Sequence, residues 1–178
     1  MPFAYDTAMV LQSAVHLVNS ALDDSLSTVS DLDGFFAQFG YTGRHDRTVA
    51  ELAAVCALRP RLRELLLAPR DEAVAIVNEW LVGAQALPQL VRHDGFDWHL
   101  HAISFDQPLA DRIVVETAMA MIDVIRGEEH SRFAVCAADD CEGVVLDLSR
   151  NRSRRFCSTT CGNRVAVAAY RARNREES

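Results

Sequence analysis

Lysine is absent: all 18 basic residues of this 178-residue chain are arginine. Uniform arginine usage reads first as compositional bias. Although the planar guanidinium fork suits phosphate, the preference is not by itself a sign of phosphate recognition. The chain also lacks the phosphate-loop pattern G-x-x-x-x-G-K-[ST], the dinucleotide pattern G-x-G-x-x-G, the H-E-x-x-H metal helix and the G-x-S-x-G nucleophile elbow. Internal repeats and low-complexity tracts are missing too, so nothing points to an enzyme or to disorder. The opening residues Met1-Pro2-Phe3-Ala4-Tyr5-Asp6 hold no cationic segment, and Gln12 and His16 interrupt the apolar stretch behind them. Glu116 and Asp123 break the best candidate for a membrane span. The expectation is a cytoplasmic protein without a membrane partner, in a compartment where thiols stay reduced.

Apolar residues make up 49% of the chain, enough for a real core, and the length suits one ordinary domain plus a small appendage. The formal net charge of -7 argues against a polyanionic partner, but the charge is unevenly divided. Residues 1–130 carry nine arginines against nineteen acids, a net of -10, whereas residues 131–178 carry nine against six, a net of +3. An acidic body and a basic tail suggest different tasks.

Four of the five cysteines lie in that tail, as Cys136-x4-Cys141 and Cys157-x3-Cys161 with fifteen residues between the pairs. Two short-spaced pairs across such a gap form the ligand pattern of one structural Zn2+ held by four thiolates, which is tetrahedral and closed to substrate. From Val144 to Arg175 there are eight arginines and a single acid, Asp147. A metal-stapled cationic segment points to a phosphate-bearing partner. The candidate nucleic-acid contacts are Arg150, Arg152, Arg154, Arg155, Arg164, Arg171 and Arg175. Arg150 or Arg152 could bridge guanine O6 and N7.

The tetrad Cys161-Gly162-Asn163-Arg164, preceded by SRNRSRRFCS (Ser149 to Ser158), resembles the CGNR zinc finger. The element order upstream and the segment AVHLVNS (Ala14 to Ser20) resemble the ABATE domain that precedes this finger in bacterial stress-induced transcription regulators. The resemblance implies an ABATE-like domain over residues 1–127, for sensing or dimerisation, and a CGNR-type finger over 128–178. Family members often continue with Lys and Arg after the tetrad, whereas this chain reads Val165-Ala166-Val167-Ala168-Ala169.

The fold class expected is α+β: a mainly helical N-terminal domain with a β-hairpin, followed by a small finger resembling a treble clef. Helical spacing places Val10, Leu11, Ala14, Val15, Val18 and Leu22 on one stripe, with Asp6 as a cap. A short helix opened by Ser30–Asp33 buries Leu32, Phe35, Phe36 and Phe39 and stops at Gly40. Thr48 and Glu51 form a capping box ahead of Val49, Leu52, Val55 and a buried Cys56, and Pro60 breaks that helix near Leu58. Asp71-Glu72 starts another helix. His93-Asp94-Gly95 turns a hairpin whose second strand presents Phe96, Trp98, Leu100 and Ala102 inward and Asp97, His99, His101 and Ile103 to solvent. A helix from Leu109 to Arg126 buries Ile113, Val114, Thr117, Ala120, Met121, Val124 and Ile125, leaving Glu116 and Asp123 solvated. In the finger, Val144–Leu148 and Arg154–Phe156 are expected to pair, with arginines at the tip. Ser158 or Thr159 caps a final helix whose Val165, Ala168, Ala169 and Ala172 pack on that hairpin. Gly162 is expected to allow close approach near the metal, and Asn163 to bond to a cysteine sulfur or the loop.

The function expected is that of a DNA-binding transcription regulator in the stress response. Its N-terminal domain would sense a ligand or assemble a homodimer. The competing readings are a zinc-stapled module for protein or RNA, and an enzyme with a site near His99 and His101.

Overall fold

The computed structural model describes residues 3–92 and 98–176, so His93 to Asp97, including the expected Asp-Gly turn and the inward Phe96, lie outside the described residues. The N-terminal region runs α1 (Tyr5–Asn19), α2 (Val29–Gln38), α3 (Val49–Cys56), α4 (Arg59–Leu67) and α5 (Arg70–Gly83), then strands β1 (Gln89–Val91) and β2 (His99–His101), then α6 (Leu109–Arg126). A 3-10 turn at His130–Arg132 leads into β3 (Phe133–Val135), β4 (Val144–Leu146) and α7 (Thr159–Glu176). No helix among the described residues is long and apolar enough to cross a membrane.

Helix starts follow capping chemistry, not always at the expected residue. α2 opens on Thr28, whose hydroxyl accepts from the Asp31 N–H at 3.2 Å while the Asp31 carboxylate accepts from the Thr28 N–H at 2.8 Å. The Thr48 hydroxyl likewise accepts from the Glu51 N–H at 3.1 Å. Glu51 does not return the bond, because its carboxylate accepts from the N–H groups of Asp46 and Arg47 and meets the His45 Nδ1 at 2.8 Å. Asp6 caps nothing; α1 starts after Ala4 without a side-chain cap. Pro60 sits in the first turn of α4, where its missing N–H has no partner to lose.

The core is centred on α6, which packs against α1, α3 and α5. Its Ile113, Ala118, Met121 and Val124 meet Leu11, Ala14 and Leu17 of α1 and Val77 and Trp80 of α5 in one apolar cluster. Leu22 and Val49, expected inside, are exposed: Leu22 falls beyond the end of α1, and Val49 on the first turn of α3 points to solvent. Arg112 is 1% exposed within this cluster of helices. Its guanidinium donates to the carbonyls of Gln107, Thr42 and Arg44, tying the loop after α2 to the start of α6.

The first hairpin pairs antiparallel, with Leu90 opposite Leu100 and Val91 opposite His99. From Trp98 to His101 the faces are the reverse of those expected from apolar alternation, although Ala102, also expected inward, is buried. Trp98 and Leu100 are 63% and 51% exposed, whereas His99 and His101 are half-buried against the helices. Glu116, expected in solvent, lies beneath them with 17% of its side chain exposed. Asp123 is exposed but accepts a 2.8 Å hydrogen bond from the Thr7 hydroxyl.

β3 and β4 pair antiparallel, Phe133 opposite Leu146 and Val135 opposite Val144. The expected pairing of Val144–Leu148 with Arg154–Phe156 does not form. β4 takes its partner from upstream, and the arginine segment is a loop. Phe133, Val144 and Leu146 belong to the same apolar cluster as α1 and α4. Asn19 at the end of α1 fixes the join: its amide donates to the Val144 carbonyl at 2.8 Å and accepts from the Val144 N–H at 2.7 Å.

Candidate metal centre and cationic loop

The cysteines converge because each pair is carried by a different tight element. Cys136 follows β3, and the Cys141 N–H closes a turn onto the Ala138 carbonyl at 3.0 Å, so this pair lies in the β3–β4 connection. Cys157 ends the arginine loop and Cys161 lies in the first turn of α7, where the Ser158 hydroxyl accepts from its N–H at 3.2 Å. That is the N-cap expected of Ser158.

All four sulfur atoms lie within 4.8 Å of one another. Cys157 Sγ is 3.6 Å from both Cys141 Sγ and Cys161 Sγ. A tetrahedral Zn2+ with bonds of about 2.3 Å places its sulfurs about 3.8 Å apart, so the donor set fits the ion. Gly143 is the close-approach residue the sequence did not reveal. A Cβ there would lie 2.8 Å from Cys157 Sγ, whereas at Gly162 it would meet only the Phe156 ring at 3.3 Å. Asn163 is exposed and bonds to neither sulfur nor loop among the described residues.

The electrostatics also call for a cation. Burial raises the Cys136 thiol, but N–H groups of Cys157 and Ala138 and the neighbouring sulfurs outweigh it and bring it down to about 7. Cys157 is pushed up to about 12 by burial and then by the other three sulfurs. One thiolate is tolerated and the next is opposed, so complete deprotonation needs a divalent ion among them. When bound, Zn2+ supplies rigidity. The second hydrophobic cluster of the chain consists of little more than the cysteines with Ala138, Val145, Phe156 and Val165.

The arginines expected to contact nucleic acid divide into two groups. Arg152 donates to Ser131 Oγ at 2.6 Å and Glu129 Oε2 at 2.7 Å, Arg154 to the carbonyls of Phe156 and Cys157, and Arg164 to Asp140 at 2.7 Å. These three spend donors inside the molecule. All seven are exposed, but the side chains of Arg150, Arg155, Arg171 and Arg175 make no such bond among the described residues. The loop itself is held from beneath by Asp147, 4% exposed, whose carboxylate accepts from the N–H groups of Ser149 and Arg154 at 2.8 and 2.6 Å. Those bonds keep its carboxyl below the usual range although burial opposes them. Buried Arg132 adds bonds to the carbonyls of Asp147 and Ser149. Beyond Val165, α7 is exposed, so Ala168, Ala169 and Ala172 do not pack on the hairpin as expected.

A helical body joined to a four-thiolate centre that braces an arginine loop defines a zinc-finger protein. The chain belongs to the ABATE family, described as "Putative stress-induced transcription regulator", whose model matches residues 11–128; the model of the CGNR zinc finger matches residues 132–174. These are families named for regulation and metal binding, not for catalysis. No curated protein matches the chain significantly.

Proposed function

We propose that the protein is a bacterial cytoplasmic transcription regulator that grips DNA through the finger, with the N-terminal domain over residues 1–127 sensing a ligand or assembling a homodimer. The observation that carries this reading is the exposure of the Arg150 and Arg155 side chains on a loop fastened to the metal centre, where the Cys157 N–H reaches Cys136 Sγ at 3.4 Å. The 2.9 Å bond from the Ala137 N–H to the Arg155 carbonyl ties the same loop to the first cysteine pair. Arginines held on a rigid edge bind a polyanion at lower entropic cost than arginines on a free chain. A single finger covers only about 600–1,000 Å2 of protein surface, which favours two fingers acting together. No catalytic step is included.

The test is genomic footprinting of the protein and its Cys157→Ser variant. Discrete enriched sites for the first that vanish for the second support the reading. Enrichment on transcripts alone would refute it in favour of an RNA-binding module, and sites indifferent to Cys157 would refute the finger as the grip on DNA.

A further inference from the structure

A cavity of about 700 Å3 opens between α1, the loop after α2, β2 and α6, away from the cysteines. Its lining includes Tyr5, Ser13, Trp98, His99, His101 and Glu116. Strand periodicity puts residues two apart on one face, so both imidazoles are presented to the same space. Their Nε2 atoms stand 2.9 Å apart. On the far edge of the second ring, His101 Nδ1 faces Glu116 Oε1 at 3.9 Å.

We propose that His99 and His101 form a second metal site, for a divalent first-row transition ion of the imidazole-seeking class such as Ni2+. With bonds of about 2.0–2.1 Å, nitrogens at this separation subtend about 90° at the ion, the cis angle of six-coordinate or square-planar geometry. Metal-binding histidines commonly direct their other ring nitrogen at a carboxylate, and Glu116 is placed to do this for His101. It is a positioning residue, because it lies on the ring edge opposite the metal-facing nitrogen. Asp6 and Asp123 also line the cavity and favour a cation, while Arg126 on the rim and buried Arg112 oppose it. Beside these two nitrogens, further coordination positions can be taken by water or by a small donor molecule in the cavity. The site is independent of the DNA-binding reading and goes beyond it.

The experiment is equilibrium dialysis of the zinc-loaded full-length protein against Ni2+, followed by elemental analysis. One Ni2+ per chain beside one retained Zn2+ is expected, with His99→Ala and His101→Ala each abolishing the Ni2+ and keeping the Zn2+. Glu116→Gln should weaken Ni2+ about 10–100-fold, the range for loss of such a carboxylate. Paramagnetic broadening of the His99 and His101 ring signals (six-coordinate Ni2+), or their displacement (square-planar Ni2+), in the unsubstituted protein provides a check free of folding defects in the variants. Rings unaffected by Ni2+, or Ni2+ retained by both alanine variants, would show that the imidazoles merely hydrogen-bond to each other and would overturn the proposal.

Discussion

Glu116 is a residue whose protonation bears on the stability of the body. Burial pushes its carboxyl up to about 7, with Arg112 only partly offsetting the shift. In the unfolded chain the group ionises near its ordinary value of 4.5. Its contribution to stability is therefore greatest below that value and declines as pH rises toward 7. By linkage, the charged form costs on the order of 3 kcal/mol at pH about 8. Glu116→Gln should be more stable than the parent by that amount in urea titrations at pH about 8 without added metal, and the gap should shrink steadily toward pH about 5. A constant gap would show that Glu116 is not held neutral by burial. His45 makes a different use of carboxylates. It is stacked on Phe36 at 4.4 Å and reaches Asp33 at 2.7 Å and Glu51 at 2.8 Å, fastening the loop between α2 and α3.

At the scale of elements, the exposed arginines of the loop divide into those whose donors brace the finger and those that make no internal bond among the described residues. Every phosphate that an arginine ceases to neutralise should reduce the salt slope of duplex binding by about 0.9. Replacing Arg150 and Arg155 together by Ala should lower the slope by about 2 and leave folding intact. Replacing Arg152 should chiefly loosen the finger, since it removes the pair with Glu129. Equal decreases in slope from both changes would contradict this division. The cysteine cluster was legible because its spacing is local and paired thiolates at such intervals are a common pattern for zinc. Less legible was the partner of β4. Val144, Val145 and Leu146 are all buried because one face meets the body and the other the cysteine cluster, so no alternation marked an edge. The inward turn of His99 and His101 was hidden for a related reason. Alternation assigned the apolar side chains to the core, and the buried Glu116 that receives the histidines lies on another element. Arg112 gave no signal either, since its three carbonyl partners are loop backbone.

At the scale of the whole molecule, body and finger share structure as well as sequence. Phe133, Val144 and Leu146 complete the apolar cluster of the helices, and Asn19 joins α1 to β4. The same α1 lines the cavity with Thr7, Val10 and Ser13, so one helix touches both the cavity and the finger. Charge is arranged on the same scale: under the proposed function, the acidic body would repel DNA and the basic tail attract it, orienting the molecule on the duplex. The most direct test of a metal-braced grip on DNA is duplex binding by the full chain, followed by fluorescence anisotropy, before and after zinc is withdrawn by a chelator and then restored. Binding should be lost with the ion and recovered with it, in proportion to zinc per chain. Equal affinity with and without zinc, or no affinity for duplex DNA in the zinc-loaded protein at low salt, would contradict it.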